Sequence, residues 1–227
     1  MRIARRFPSC RRALAAIEFA LIAPVLVLMA FGSYDIVQGF ITYTRVNYAA
    51  QAIGQIATSM AVAGTNLNQL NDTQALAATS AVYALLPALS GASPPAFSVV
   101  LSSIAMTPTV AGCTTACTYT AHVAWSSVFQ GTGTARPCDT TQGVSVITSV
   151  SDSANPSPTT LPVDAYSASP LLVADVTYTF QPVFLIAIQT SITMTSSAYF
   201  SPRTGGPSNW VQFTDTTPAI QCPGYPP

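Results

Sequence analysis

The hydrophobic pattern of this chain changes character twice. Residues 14–31 (LAAIEFALIAPVLVLMAF) are apolar apart from Glu18 and the helix-restricting Pro24. At about 1.5 Å per residue, such a run covers about 27 Å as a helix, close to the hydrocarbon thickness of a bilayer. Beyond it, Ile36, Phe40, Tyr43, Ala50, Ile53, Ala57 and Met60 recur at spacings of three, four or seven, which keep one helical face. No proline falls between Pro24 and Pro87. The pattern predicts a single helix over residues 14–60, about 70 Å long, with its first half in lipid and its second half packed on a domain. Residues 72–89 are rich in Ala and Leu and read as helix until Pro87, with Asn71 or Asp72 as N-cap.

From Pro94 the period shortens to two. Strands are predicted over 96–101, with Phe97, Val99 and Leu101 on one face, and over 119–128, with Tyr119, Ala121, Val123 and Trp125 opposed to Thr120, His122 and Ala124. A third covers 173–180, where Val176, Tyr178 and Phe180 alternate with Asp175, Thr177 and Thr179, and a last strand lines up Ile192, Met194, Ala198 and Phe200. Residues 144–150 are a further candidate, at an edge. The polar faces are Ser and Thr, as in many exported β domains. Residues 151–169, with Pro156, Pro158, Pro162 and many Ser and Thr, read as a loop, and the chain after Pro202 as irregular. The fold class is α+β, a long N-terminal helix on an antiparallel sheet. The expected organisation is a basic leader (1–13), a transmembrane helix (14–34), an exported helical region (35–92), an antiparallel β domain (93–203) and a tail (204–227).

Charge orients this arrangement. The chain has eight basic and eight acidic residues and no lysine; Arg2, Arg5, Arg6, Arg11 and Arg12 precede the apolar run, and every acidic residue follows them. Arginines before the run and none until Arg45 place the N-terminus in the cytoplasm and the rest outside. Two alternatives stay open. One is a buried core helix with a basic tail. The other is a cleaved secretory signal, since Ala30 and Gly32 are small residues at the −3 and −1 positions before Ser33. Glu18 within the run and the helical pattern beyond Gly32 oppose the second.

Composition narrows the chemistry. Cys10 lies in the leader, whereas Cys113, Cys117, Cys138 and Cys222 all follow the apolar run, an even set suited to disulfides in an oxidising compartment. Three pairings are open, and Cys222 suggests a bridge tying the C-terminus to the domain. A zinc site using these cysteines and His122 is the alternative, with weak ligand spacing. No metal or other cofactor is expected. His122 is the sole histidine, expected at the surface, and Glu18 the sole glutamate. With no nucleophile elbow, no phosphate-binding loop and no dinucleotide fingerprint, the chain is not expected to be an enzyme. The exported part is net acidic, which disfavours nucleic acid.

Glu18 requires an explanation, because an ionised side chain in lipid costs on the order of 3 kcal/mol on insertion scales. It either snorkels to the cytoplasmic face or meets a partner within the membrane. The segment Arg12-Ala13-Leu14-Ala15-Ala16-Ile17-Glu18-Phe19-Ala20-Leu21-Ile22-Ala23-Pro24 resembles the start of the TadE-like family, minor pseudopilins of the tight-adherence (Tad, Flp-type) pilus machinery. The likeness returns in Val176-Thr177-Tyr178-Thr179-Phe180-Gln181-Pro182 and in 198–203. It implies a pilin-like fold in the bacterial inner membrane, single-pass, with a periplasmic C-terminal domain. It further implies cleavage by a prepilin peptidase between Ala13 and Leu14, with Ala13 where the motif favours Gly. Glu18, Phe19 and Pro24 would be assembly residues, Glu18 neutralising the new Leu14 amine of a neighbouring subunit. The implied partners are other pilus or pseudopilin subunits, assembly proteins and membrane lipid. The reading from another class is a membrane-anchored binding or adhesin module with no pilus role.

Overall fold

The computed structural model of the chain describes residues 11–61, 69–91, 96–139, 145–202, 210–215 and 220–225, with side chains from Ala16 onward except Ser90. Most of the leader (1–10, including Cys10), Val144 and much of the tail lie outside the described residues, and of Ala13 and Leu14 only the backbone is described. The chain forms two compact units. The first comprises the described chain up to Ile41 together with Gln181–Ser191; the second comprises Thr42–Phe180 and Ile192–Pro227.

Helix α1 runs over Arg11–Met60 and contains Pro24. Its 50 residues correspond to about 75 Å. Ala, Ile, Leu and Val are its commonest residues, and hydroxyls fold back on the backbone: Ser33 donates to the carbonyl of Ala30, Thr58 to that of Gly54 and Ser59 to that of Ile56. In the first unit the buried positions are Gly32, Asp35 and Gly39, while Ile36, Val37 and Phe40 are exposed. This corrects the expected face, because Ile36, Phe40 and Tyr43 do not continue the stripe of Ala50, Ile53 and Ala57. Small residues, not large ones, mark the packed side of this stretch.

In the second unit, the last part of α1 buries Val46, Ala49, Ala50, Ile53 and Ala57. Gly54 lets the helix backbone approach the sheet, since a Cβ there would lie 2.4 Å from the ring of Phe200. Helix α2 (Asp72–Thr79) starts with a capping box in which Asn71 accepts from the Gln74 amide and Gln74 accepts from the Asn71 amide. After Ser80, α3 (Ala81–Leu85) and a 3-10 turn at Pro87–Ser90 complete the helical stretch.

The strands are β1 (Gln69–Leu70), β2 (Phe97–Pro108), β3 (Tyr119–Gly131), β4 (Thr148–Val150), β5 (Thr160–Pro162), β6 (Leu171–Phe180), β7 (Ile192–Phe200), β8 (Gln212–Phe213) and β9 (Ile220–Gln221). An antiparallel sheet in the order β7-β6-β2-β3-β9 carries the domain, flanked by the parallel pairs β1-β8 and β4-β5. Along the register, Leu101 faces Ala174, which faces Ala198, and Leu172 faces Phe200, so these line one side. The other side carries Ile104, Met106, Ala121, Val123, Leu171 and Val173, covered by Ile147 and Leu161.

Four expectations are corrected here. Trp125 does not share a face with Val123. Ser103 pairs with Trp125 and Ile104 with Val123, so the bulge at Ala124 reverses the alternation. Trp125 packs against Phe213, with ring centroids 5.0 Å apart, and donates its indole N–H to the Val211 carbonyl. The polar strand positions are not solvent faces, because both sides of the sheet are covered: Ser98, Ser102, Ser103, Ser126 and Ser127 are buried. Ser102 and Ser126 satisfy each other at 2.8 Å. The Ser/Pro/Thr-rich loop at 151–169 contains β5, whose Leu161 is fully buried and anchors it. The chain beyond Pro202 contains β8 and β9, and β9 extends the main sheet alongside β3.

Candidate functional site

The described start of α1 is a lipid-compatible surface. Ile17, Phe19, Leu21, Ile22 and Val25 to Met29 are exposed. The most apolar 18-residue stretch within Ala16–Met60 has a mean hydropathy of 2.1 and is only 6% buried. A soluble protein's core helix would be covered; this one is exposed, and it is long and apolar enough to span a membrane, consistent with a single-pass anchor. Glu18 is exposed on this surface, beside Phe19 at 68% exposure, and Pro24 is exposed on the same segment. Glu18 is the only ionisable group among the described side chains from Ala16 to Ser33.

A second charged group on α1 is handled in the opposite way. Asp35 is fully buried, and its carboxylate accepts from the backbone N–H of Val183 at 3.0 Å and of Phe184 at 3.2 Å. Both donors belong to the β6–β7 loop, within the same unit. The loop packs on the helix through Phe184, whose ring stacks on Phe31 at 4.4 Å and meets Tyr34 edge-on at 5.6 Å. Gly32 faces the loop, and a Cβ there would only reach ordinary van der Waals contact with Ala187 and Ile186, at 3.6 and 3.7 Å. Sequence reasoning missed Asp35 as a site residue and treated it as one of several scattered aspartates. The available signal was Gly32, Asp35 and Gly39 at helical spacing, together with the uncharged run PVFLIAI at 182–188.

The four cysteines that follow the apolar run form two bridges, Cys113–Cys117 and Cys138–Cys222. The first closes the β2–β3 turn; the second joins the segment after β3 to the chain end and lies against the core. Both pairs are thereby removed as thiolate donors for the zinc alternative. His122 is buried, not at the surface, and its Nδ1 lies 2.6 Å from Asp139. Asp139 in turn accepts from the Val146 amide. The pair is far from α1 in sequence and lines a cleft with Thr107, Thr109, Thr120 and Tyr225.

Arg136 is also buried. Its guanidinium makes two bonds to Asp175, at 2.8 and 2.9 Å, and donates to the carbonyls of Pro158 and Thr160. Asp175 also accepts from Ser197. Burial alone pushes the Arg136 guanidinium down, but the Asp175 charge and hydrogen bonds outweigh it and hold it above its ordinary value. This cluster staples the β4–β5 connection to β6. Among the described residues, no group of three His, Cys, Asp or Glu is placed to hold a metal ion.

Residues 14–54 match the family model of TadE-like proteins. The match covers Leu14, Glu18, Phe19, Pro24, Gly32 and Asp35 and ends before the sheet. No curated protein and no solved structure matches the chain.

Proposed function

With a TadE-like segment coinciding with an exposed apolar helix as premise, we propose that this chain is a minor pseudopilin, an assembly component of a Tad-type (Flp) pilus or secretion apparatus. It acts by protein–protein contact and not by catalysis. The observation that carries this reading is the overlap of the family match with the described helix whose apolar side chains point outward. The arginine-rich leader (1–13) remains in the cytoplasm, residues 14–34 cross the bacterial inner membrane once, and the helical (35–92) and β (93–203) regions lie in the periplasm. A prepilin peptidase cuts between Ala13 and Leu14 and leaves the anchor in place.

Glu18 then has a partner. Cleavage creates an α-ammonium at Leu14, and in a bundle of parallel helices the Glu18 carboxylate of one subunit neutralises that ammonium on the next. Two opposite charges brought together in a low-dielectric bundle offset the desolvation of each. Exposure of Glu18 and Phe19 supports this role, because it leaves both open to a neighbouring subunit.

The test compares wild type with Glu18→Ala for membrane level, disulfide state, crosslinking to other pilus subunits and surface piliation. Glu18 lies outside the sheet-bearing unit, so the variant should fold, and apolar residues insert more readily than Glu. Normal membrane levels with lost crosslinks and piliation are expected. Wild-type crosslinking and piliation in the variant would reduce Glu18 to a snorkelling residue.

A further inference from the structure

We infer that the β6–β7 loop, Gln181–Ser191, is a second membrane-binding element, its apolar side chains dipping into the headgroup–acyl boundary of the exported leaflet beside the exit of α1. The inference rests on the reading of α1 as a membrane span and adds to it a second contact that the anchor alone does not require.

Composition is the first reason. Residues 182–188 (PVFLIAI) carry no charged or hydrogen-bonding side chain. Connections between antiparallel strands in water use Gly, Asn, Asp, Ser and Pro, which suit the turn and solvate well. Here the turn places Leu185 at φ +54°, a left-handed conformation that favours Gly or Asn. A bulky apolar side chain is kept where local geometry selects against it. Val183 is 67% exposed and Leu185 54% exposed, so no core within the chain explains these side chains.

Depth is the second reason. The loop rests on Phe31, the last residue of the apolar run, and on Gly32 and Tyr34 just past it. Its exposed side chains therefore sit at the level where the helix leaves the hydrocarbon. Tyr34 at that level suits the aromatic belt of a membrane interface. The exposed apolar surface of the loop continues that of the helix.

Backbone accounting is the third and most specific reason. A loop in water leaves its amides to the solvent. In lipid each unpaired N–H costs several kcal/mol, so an inserted loop needs internal acceptors. Asp35 supplies two of them, with its carboxylate on the amides of Val183 and Phe184 at the start of the apolar run, and the interfacial depth of the loop leaves the later amides to headgroups and water. The same two bonds solve the problem of Asp35, an acidic residue one helical turn past the membrane run and fully buried. A buried carboxylate spent on these two amides lowers the cost of bringing the start of the apolar run to the membrane interface.

The experiment uses the full chain with Cys10→Ser, reconstituted into phosphatidylethanolamine/phosphatidylglycerol vesicles with or without a spin-labelled lipid. A single environment-sensitive fluorophore is attached through Leu185→Cys or, independently, Val183→Cys. Phe31→Cys serves as the membrane reference and Val110→Cys, exposed on the β2–β3 turn, as the aqueous one. Emission from 185 and 183 is expected to be blue-shifted and to lose a share comparable to that lost at 31, with none lost at 110. Quenching at 31 without quenching at 185 and 183 would overturn the inference while leaving the anchor intact, whether the loop proved to be in water or covered by a second copy. Absence of quenching at 31 would overturn the membrane reading, and the inference with it.

Discussion

The two disulfides differ so much in the length of chain they close that their removal should have very different consequences. Cys113–Cys117 spans a sequence separation of 4, whereas Cys138–Cys222 spans 84. In the chain-entropy treatment, the unfolded state loses about 1.9 kcal/mol of freedom through the short bridge and about 4.6 kcal/mol through the long one. The difference of about 2.7 kcal/mol is about a hundredfold in the folding equilibrium. Local structure acts in the same direction. The short bridge lies on an exposed turn already shaped by Gly112 and Ala116 at positive φ. Cys222 is buried in the core, and its amide donates to the Ala124 carbonyl at the bulge, where β9 joins β3. The assay is urea unfolding of the full chain in detergent, followed by tryptophan emission, for wild type, Cys113→Ala/Cys117→Ala and Cys138→Ala/Cys222→Ala. The second double variant should lose at least twice the stability of the first. Equal losses, or a larger loss from the short bridge, would refute the reasoning.

Three further outcomes are expected from the same assay. Arg136→Ala should destabilise by about 3–5 kcal/mol, because it leaves Asp175 without its guanidinium, and Arg136→Lys should restore only part, since an ammonium cannot reproduce the two-bond fork. Gly54→Val should cost about 1–3 kcal/mol by forcing the ring of Phe200 away from the helix. Burial raises the phenols of Tyr166, Tyr178, Tyr199 and Tyr225 above their ordinary value of 10.0, so the folded state keeps these protons after the unfolded state begins to lose them. Their contribution to stability is therefore complete below pH 10.0 and lost as pH rises through the folded-state values, which a series of urea midpoints across that range measures.

Where one local rule governs a segment, the sequence was sufficient. Helix α1, the N-cap at one of Asn71 and Asp72, which is Asn71, and the alternation of Val176, Tyr178 and Phe180 follow from period and capping chemistry alone. The features that escaped depend on distant partners. The bulge at Ala124 is invisible to a period-two reading, yet it moves Trp125 to the other face. Leu161 and Phe213 lie in segments dominated by Pro, Ser, Thr and Gly, whose single buried anchors are too sparse to register as strands. The packed face of α1 at Gly32, Asp35 and Gly39 was misread because large apolar residues were taken to be core. Next to a membrane that rule inverts, since lipid accepts the large side chains and close packing selects the small ones. Glu18 was visible as an anomaly within an apolar run. Asp35 was not, because its partners are backbone amides nearly 150 residues away, at Val183 and Phe184.

The central claim is that the exposed face of α1 at Glu18 and Phe19 meets neighbouring subunits within the membrane. A photo-crosslinking amino acid placed at Phe19, in cells that assemble the Tad-type apparatus, tests it directly, with the same probe at Val110 as an exposed site away from the helix. Adducts to other pilus or pseudopilin subunits from position 19, absent at 110 and lost with Glu18→Ala, are predicted. Adducts to lipid alone from position 19, in cells where the apparatus is assembled, would contradict the account.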